Sequence, residues 1–349
     1  MRFSVDAHAI GQHLTGNETY IRNILRGFAA LDQDADFVTY LSRRPATGDL
    51  PDRFRQQFVS VNPFIRLGFD IPRRLRQERP NLLHVQYTAP LFCSVPVVVS
   101  VHDVSFLEHP EYFTRFRTMQ LRCTVRRTVK MAARVLTVTE FSKRSIQAAY
   151  GVPEEKITVL PNGVSGDFRP IAREVAQRVV RPSVGIEAPF VLTVGDLQPR
   201  KNHLGLIRAF EQMIAAHPQL PHHLVIVGKD TWHSASIRSA AQRSSVASRI
   251  HFTGFVADQE LRHLYSACDL FVYPSFYEGF GLPILEAMAS GRAVACSNTS
   301  GMPEVADSAA LLFDPHSESD MVLAMRDLLL NPDLRLRMER LGVQRAAMF

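Results

Sequence analysis

Short apolar runs rich in Val, Ile, Leu and Phe alternate with helical patterns along the whole chain, the arrangement that builds βαβ units and parallel sheets. In the first half the pattern predicts strands over residues 3–6, 37–41, 82–85, 97–101 and 135–138. Helices follow several of them, over residues 19–31 and near 115–133. In the second half, strands are expected at 190–194, 224–227, 250–252, 270–273, 293–296 and 310–313. Leu261, Leu264, Tyr265 and Cys268 recur at i, i+3, i+4 and i+7, one face of a helix leading into the strand at 270. Between the two sets, residues 165–189 hold Pro170, Pro182, Gly185 and Pro189 with no strong period, which reads as a hinge. The expected fold is therefore α/β, with two doubly wound, Rossmann-like domains over residues 1–170 and 171–349. Such sheets carry ligand residues just beyond the carboxyl ends of their strands.

The chain length of 349 residues suits two cores better than one. Apolar residues at 46% and charged residues at 21% are ordinary for globular domains, and no segment is biased enough to predict disorder. The opening Met-Arg-Phe-Ser-Val-Asp lacks the apolar stretch of a signal peptide. The longest apolar run, near Val95 to Val101, is too short to cross a bilayer. Cys93, Cys123, Cys268 and Cys296 show no Cys-x-x-Cys spacing, which argues against a disulfide framework or a zinc site and for a reducing cytoplasm.

Net charge changes the picture because it is uneven. Residues 1–150 carry 21 Lys/Arg against 13 Asp/Glu, and residues 151–349 carry 19 against 21. A basic first half suggests a lobe that meets an anionic surface. Nucleic acid is disfavoured as that partner, since the basic residues have no reading motif and few interleaved aromatics. Arg115, Arg117, Arg122, Arg126, Arg127, Lys130 and Arg134 cluster in the second predicted helix, and Arg66, Arg73, Arg74, Arg76 and Arg79 add to the same lobe. They cover more than one helix face, so a solvated helix and a face resting on anionic inner-leaflet lipid both remain open.

Four segments carry candidate chemistry. After the strand at 270–273, a loop with Glu278, Gly279, Phe280 and Gly281 leads into Leu282 and Pro283, with proline expected at the first helical position. Unpaired N–H groups and the helix dipole there favour a diphosphate, and the glycines let backbone approach it. Glu286 is expected in the first turn of that helix, so two ionised carboxylates, Glu278 and Glu286, can accept from sugar and ribose hydroxyls. Each alone reads equally well as a loop cap or a charge favoured by the dipole. The second segment, Gly195-Asp-Leu-Gln-Pro-Arg200-Lys201-Asn202, again follows a strand. Its adjacent Arg and Lys suit phosphate oxygens and, with no metal ligands beside them, would carry leaving-group charge. Third, His102 and Asp103 end one strand and Glu140 follows another, placing a His-Asp pair where it could bond sugar hydroxyls or tune a proton transfer. A structural His is the competing reading. Fourth, the loop from Gly11 through His13 and Gly16 to Thr19 has neither dinucleotide-fold nor Walker spacing, and is either a phosphate or acceptor loop or a plain connection.

Together these residues resemble the family 4 retaining glycosyltransferases. Glu278-Gly-Phe-Gly-Leu-Pro-Ile-Leu-Glu286 matches that family's Glu-x7-Glu signature, and the Gly195 to Asn202 segment is similar to its donor-phosphate segment. His102-Asp-Val-Ser-Phe-Leu, Thr139-Glu-Phe-Ser142 and Val159-Leu-Pro-Asn162-Gly-Val fit in the same order. The resemblance implies a GT-B fold whose two parallel-sheet domains face a central cleft. It implies Glu286 on the ribose hydroxyls, Glu278 and the backbone of Gly279 to Leu282 on the transferred sugar, and Arg200 and Lys201 on the diphosphate. His102 would sit near the reacting centre and Val256 near the base, with Gly16, Asp103, Glu140, Asn162 and Asn202 as further substrate contacts. It also implies a nucleotide-diphosphate sugar as co-substrate with no other cofactor, no Asp-x-Asp metal site, and a front-face displacement aided by the leaving phosphate. A glycan or lipid-linked acceptor, surface-polysaccharide synthesis and a mannosyl donor follow from the same likeness. Family members usually continue past Phe349 with a closing helix, so a truncated chain or a missing helix is expected.

A dinucleotide oxidoreductase is disfavoured by the glycine spacing of the first turn. A nucleotide-sugar epimerase and a non-enzymatic nucleotide-sugar-binding protein stay open as alternatives.

Overall fold

Thirteen short strands and their intervening helices form two separate sheets in a computed structural model that describes residues 1–12, 15–31, 34–45, 50 and 52–349. The first compact unit spans Met1–Gly163 and the second Val164–Phe349. The first holds β1 (Arg2–Asp6), β2 (Asp36–Leu41), β3 (Arg55–Phe58), β4 (Leu82–Gln86), β5 (Val97–Ser100), β6 (Arg134–Thr137) and β7 (Ile157–Val159). The second holds β8 (Phe190–Val194), β9 (His223–Val227), β10 (Ile250–Gly254), β11 (Leu270–Tyr273), β12 (Val294–Ser297) and β13 (Leu311–Phe313). Their orders are β3-β2-β1-β4-β5-β6-β7 and β10-β9-β8-β11-β12-β13, with every neighbouring pair parallel. Each unit is thus a doubly wound sheet that reverses direction once, at β1/β4 and at β8/β11.

The strands read as nearly continuous apolar runs because helices cover both faces. In β2, Phe37 and Leu41 join Ile21 and Leu25 of helix Thr15–Leu31 on one face, while Val38 and Tyr40 join Ile71 and Leu75 of helix Ile71–Glu78 on the other. Alternation of side chains along a strand makes that division automatic. In the second unit, Leu206, Phe210 and Met213 of helix His203–Ala216 pack with Leu224, Ile226 and Val272 of the sheet.

All eleven expected strands are present. The two that were not anticipated, β3 and β7, sit at the edges of the first sheet. β3 (Arg-Gln-Gln-Phe) is mostly exposed, so burial imposed no apolar pattern on it, and β7 has three residues. Residues 165–189, read as lacking a strong period, contain helix Arg173–Val184, which buries Ala176 and Val180 and ends at Gly185 with φ 68°. Two small buried side chains gave too thin a period to compete with the prolines around them. Helix Thr15–Leu31 also begins four residues earlier than expected.

Arg173 anchors that helix to the second sheet. Its Nη1 is 2.5 Å from Asp269 Oδ1, and His222 Nε2 is 3.2 Å from Oδ2. Burial alone would raise the Asp269 carboxyl, but the bonds to His222 and Arg173 hold it well below the usual carboxylate range. Its contribution to stability is complete above the ordinary aspartate range and declines as pH falls below it. Asp269→Ala should therefore cost about 3 kcal/mol, the low end for a broken buried pair because Arg173 keeps some solvent. Urea unfolding at pH 7 measures this; a loss under ~0.5 kcal/mol, the size of an ordinary surface substitution, would show that the cluster does not anchor the helix.

Candidate active site

Because β8 and β11 are neighbours at the switch point of the second sheet, the loops leaving their carboxyl ends run side by side. Residues 195–202 follow β8 and residues 274–281 follow β11. The Phe276 N–H donates to the Arg200 carbonyl at 2.9 Å and ties the two together. Across them, Arg200 Nη1 lies 2.6 Å from Glu278 Oε2 and donates to the Tyr277 carbonyl at 2.7 Å. Lys201 Nζ donates to Glu278 Oε1 and to Tyr273 Oη, each at 2.7 Å. One carboxylate therefore holds a cation on each oxygen, and the trio keeps one net positive charge. Burial would raise the Glu278 carboxyl, but Arg200 and then Lys201 reverse this and hold it at about 2.

The helix after this loop, Leu282–Ala289, starts at Gly281 with φ 101°, a left-handed conformation that glycine adopts at no steric cost. Gly281 offers no side-chain cap, and of the first helical residues Pro283 has no N–H and Ile284 donates its own to the Gly281 carbonyl at 2.9 Å, so it is the helix dipole that favours an anion at the loop. Pro283 occupies the second helical position rather than the first, which moves Glu286 into the second turn, a correction to its expected place. Glu286 is also not simply ionised. Burial pushes its carboxyl up to about 7, against the Tyr265 hydroxyl, which donates to Oε2 at 2.8 Å. The two glutamates belong to separate networks, one ionic and one shared with a tyrosine.

Two residues of the site were not anticipated. Ser300 Oγ accepts from the Glu278 N–H at 2.9 Å, and the Gly301 N–H donates to the Glu278 carbonyl at 3.0 Å. A Cβ on Gly301 would stand 2.3 Å from the Gly279 carbonyl oxygen. Their signal was present: Gly301-Met-Pro303 after β12 repeats the spacing of Gly281-Leu-Pro283 after β11. Asn202 was expected to meet substrate, but its amide is engaged inside the fold. Oδ1 accepts from the Gly205 N–H at 3.2 Å as a helix cap, and Nδ2 donates to the Pro315 carbonyl at 2.8 Å. Gly279 and Phe280 are buried and Leu282 is partly exposed. Val256 lies half-buried in the loop after β10, next to exposed Phe255, whose ring has the Lys229 ammonium 4.9 Å from its centre.

In the first unit, His102 follows β5 among aromatic rings, 4.5 Å from the centre of Tyr20 and 5.7 Å from that of Tyr87. Burial pulls its imidazole down to about 4, although Asp103 opposes this, so it is neutral at pH 7. Gln86 Nε2 donates to the Asn17 carbonyl at 3.2 Å, which turns Gln86 Oε1 toward His102 Nε2 at 2.9 Å. Nε2 then carries the proton and Nδ1 is the acceptor. Asp103 Oδ1 accepts from the Ser105 N–H and hydroxyl at 2.9 and 2.6 Å, a local turn that occupies that oxygen. Glu140 is exposed in the first turn of helix Glu140–Tyr150, 3.8 Å from Lys143 Nζ. Asn162 is half-buried. Gly16 lies in the first turn of helix Thr15–Leu31 rather than in the loop before it, while His13 falls outside the described residues.

Comparison with known proteins places this geometry. Residues 179–345 match the family described as glycosyl transferases group 1, and residues 14–168 match Glycosyltransferase Family 4. The chain belongs to the family 4 glycosyltransferases. Among its relatives, O-antigen chain mannosyltransferase B of Escherichia coli is 33% identical over 219 residues, covering 63% of this chain and 57% of that protein. The chain thus spans little more than half of that relative's length. Among solved structures, the lipopolysaccharide-biosynthesis glycosyltransferase WaaG aligns with a TM-score of 0.79 at 19% identity, covering 100% of this chain and 96% of the other. Anabaena HepE in complex with UDP and glucose aligns with a TM-score of 0.79 at 20% identity, covering 99% and 94%. These likenesses establish the GT-B fold.

Within this candidate site, Glu286 gives a pH signature. Its raised folded-state value means that its ionisation favours the unfolded chain, so stability is lost as pH rises from about 4.5 toward 7. Glu286→Gln should therefore raise stability above pH 7.5 by about 3 kcal/mol and change it little at pH 4.5. Thermal melts at the two pH values check the sign; equal shifts at both would remove the assigned protonation.

Proposed function

We propose that this chain transfers a hexosyl unit, with mannose from GDP-mannose as the leading donor, to a glycan or lipid-linked acceptor in cell-surface polysaccharide synthesis. The observation that carries the reading is the Arg200–Glu278–Lys201 cluster beside a helix start with no side-chain cap, a seat whose surplus positive charge has the sign a diphosphate needs. Arg200 and Lys201 take the charge of the leaving nucleotide, so no metal ion is required for that task. Glu278 and the backbone of Gly279 to Leu282 hold the sugar, Glu286 the ribose, and Val256 lies by the base. His102, neutral and with Nδ1 as acceptor, bonds a sugar hydroxyl.

Retention fits the same groups. Glu278 is ion-paired on both oxygens and Glu286 is bonded to Tyr265, so neither is a bare nucleophile. The acceptor hydroxyl oxygen then bonds the anomeric carbon on the face from which the phosphate departs. The bond from that carbon to the phosphate oxygen breaks, and the hydroxyl proton passes to the phosphate. The mannosyl assignment draws on the O-antigen mannosyltransferase relative, and HepE, solved with UDP, keeps uridine donors in the test.

Thermal shifts with GDP-mannose and UDP-glucose, followed by nucleotide release with and without acceptor, test this reading. Release that depends on acceptor and persists in EDTA is expected, with Lys201→Ala reducing turnover at least ~100-fold as the phosphate loses a preorganised cation. Sugar interconversion without acceptor would instead mark an epimerase, and binding without turnover a nucleotide-sugar-binding protein.

The acceptor side of the reading includes an anionic membrane surface. Helix Arg115–Met131 contains six basic and no acidic residues, with Phe116 and Met119 73% and 61% exposed on it. Phe64, Phe69 and Phe92 are also exposed on this unit. Among the described residues no helix is long and apolar enough to cross a membrane. Cations beside exposed aromatic tips suit interfacial attachment to anionic lipid. Flotation with phosphatidylglycerol vesicles should recover the protein, and Arg122→Glu/Arg126→Glu should release it; equal recovery on neutral vesicles would sink the electrostatic part.

A further inference from the structure

The final helix of the second unit, Pro332–Ala346, reaches the glycine loop by two routes that share Arg345. Arg345 Nη2 donates to the Glu304 carbonyl at 2.7 Å and Nε to the Val305 carbonyl at 3.0 Å. Its fork thus takes up carbonyls at the end of the short helix Met302–Ala306, which that helix cannot satisfy itself. At the other end of the same short helix, Gly301 and Ser300 hold both backbone groups of Glu278. The second route is aromatic. The Arg345 guanidinium lies 4.8 Å from the centre of the Phe349 ring, and that ring meets Phe280 edge-to-face at 5.8 Å and 77°. Phe280 is 5% exposed and sits between Glu278 and Gly281, in the middle of the loop.

Close packing makes these routes stiff. A Cβ on Gly342 would come within 3.1 Å of the Met288 side chain, so helix Pro332–Ala346 lies tight against helix Leu282–Ala289. A Cβ on Gly301 would collide with the Gly279 carbonyl, so the start of the short helix lies directly against the loop. Through these contacts a displacement of Arg345 or Phe349 reaches the loop and the start of its helix.

The geometry points to Arg345 and Phe349 as positioning residues that set the shape of the 278–282 loop, an inference that rests on reading this loop as the clamp for the donor sugar and diphosphate. Neither residue touches the cation pair. Their effect is to keep the Glu278 carboxylate and the backbone of Gly279 to Leu282 in one arrangement before ligand arrives, which lowers the ordering cost of binding.

The test measures amide hydrogen exchange in Phe349→Ala and Arg345→Ala, together with affinity for GDP-mannose and UDP-glucose. Phe349→Ala should speed exchange at 278–282 roughly three- to tenfold, the loss expected of one edge-to-face aromatic pair, with helix His203–Ala216 unchanged. Arg345→Ala should speed both 278–282 and 301–306. Arg345→Lys should fail to restore either segment, since one ammonium does not reproduce a two-carbonyl fork, while Phe349→Tyr should restore the loop. Weakened affinity for whichever donor the unmodified protein binds should accompany the faster exchange. Unchanged exchange at 278–282 in Phe349→Ala, or a uniform increase across the second unit, overturns the inference. If the unmodified protein binds neither donor, the reading of the loop as a donor clamp fails, and the exchange data still decide the bracing.

Discussion

A single buried carboxylate, Glu278, receives the two cations of the neighbouring loop, and the arrangement of the second unit's site follows from that contact. Without it, Arg200 and Lys201 would be two like charges on adjacent residues at the end of β8, largely removed from water. With it, they are held apart on opposite oxygens, and the loops after β8 and β11 share one ionic centre. Buried ion pairs are a poor device for stability, because desolvating the partners consumes most of the attraction. On the proposed reading the cluster is a preformed receptor: two donors already desolvated and oriented, with a surplus positive charge and a helix start beside them.

That receptor depends on backbones coming closer than side chains allow. A Cβ on Gly228 would stand 2.0 Å from the Gly195 carbonyl oxygen, and one on Gly195 would be 3.1 Å from the Lys201 stem. With Gly301 against Gly279, the loops after β8, β9, β11 and β12 meet through glycine contacts at the carboxyl end of one parallel sheet. The strand order places them there, since β8 and β11 flank the point where the winding reverses. Fold and site are in this sense one constraint, in which the reversal makes room between loops and the glycines let backbone fill its walls.

The sheets were legible in the sequence because two-sided burial writes itself as continuous apolar runs, as at Val97–Ser100 and Phe190–Val194. What was hidden had weak or competing signals. Arg55–Phe58 sits at an open edge with nothing to bury, and helix Arg173–Val184 shows, among its described side chains, only Ala176 and Val180 to the core between prolines. At the site, residue types pointed to the cation pair, Glu278 and the glycine loop, whose proximity follows from parallel neighbours. Partner identity was not readable. That the Asn202 amide would donate to the Pro315 carbonyl, or that Glu286 would accept from Tyr265, depends on which groups arrive from segments distant in sequence.

The same dependence gives His102 its character. Next to Asp103, the sequence suggests a polarised pair, yet the Asp103 oxygen turns back to Ser105, and the imidazole meets Tyr20, Tyr87 and Gln86 instead. Burial then outweighs the nearby carboxylate, and the ring stays neutral. A chain of two hydrogen bonds, Asn17 to Gln86 to His102, fixes the proton on Nε2 and leaves Nδ1 to accept. An imidazole with so low an affinity for a proton is a weak base at neutral pH and a good directional acceptor for a hydroxyl. The first unit therefore carries a neutral, hydrogen-bonding histidine, while the second concentrates charge around Glu278.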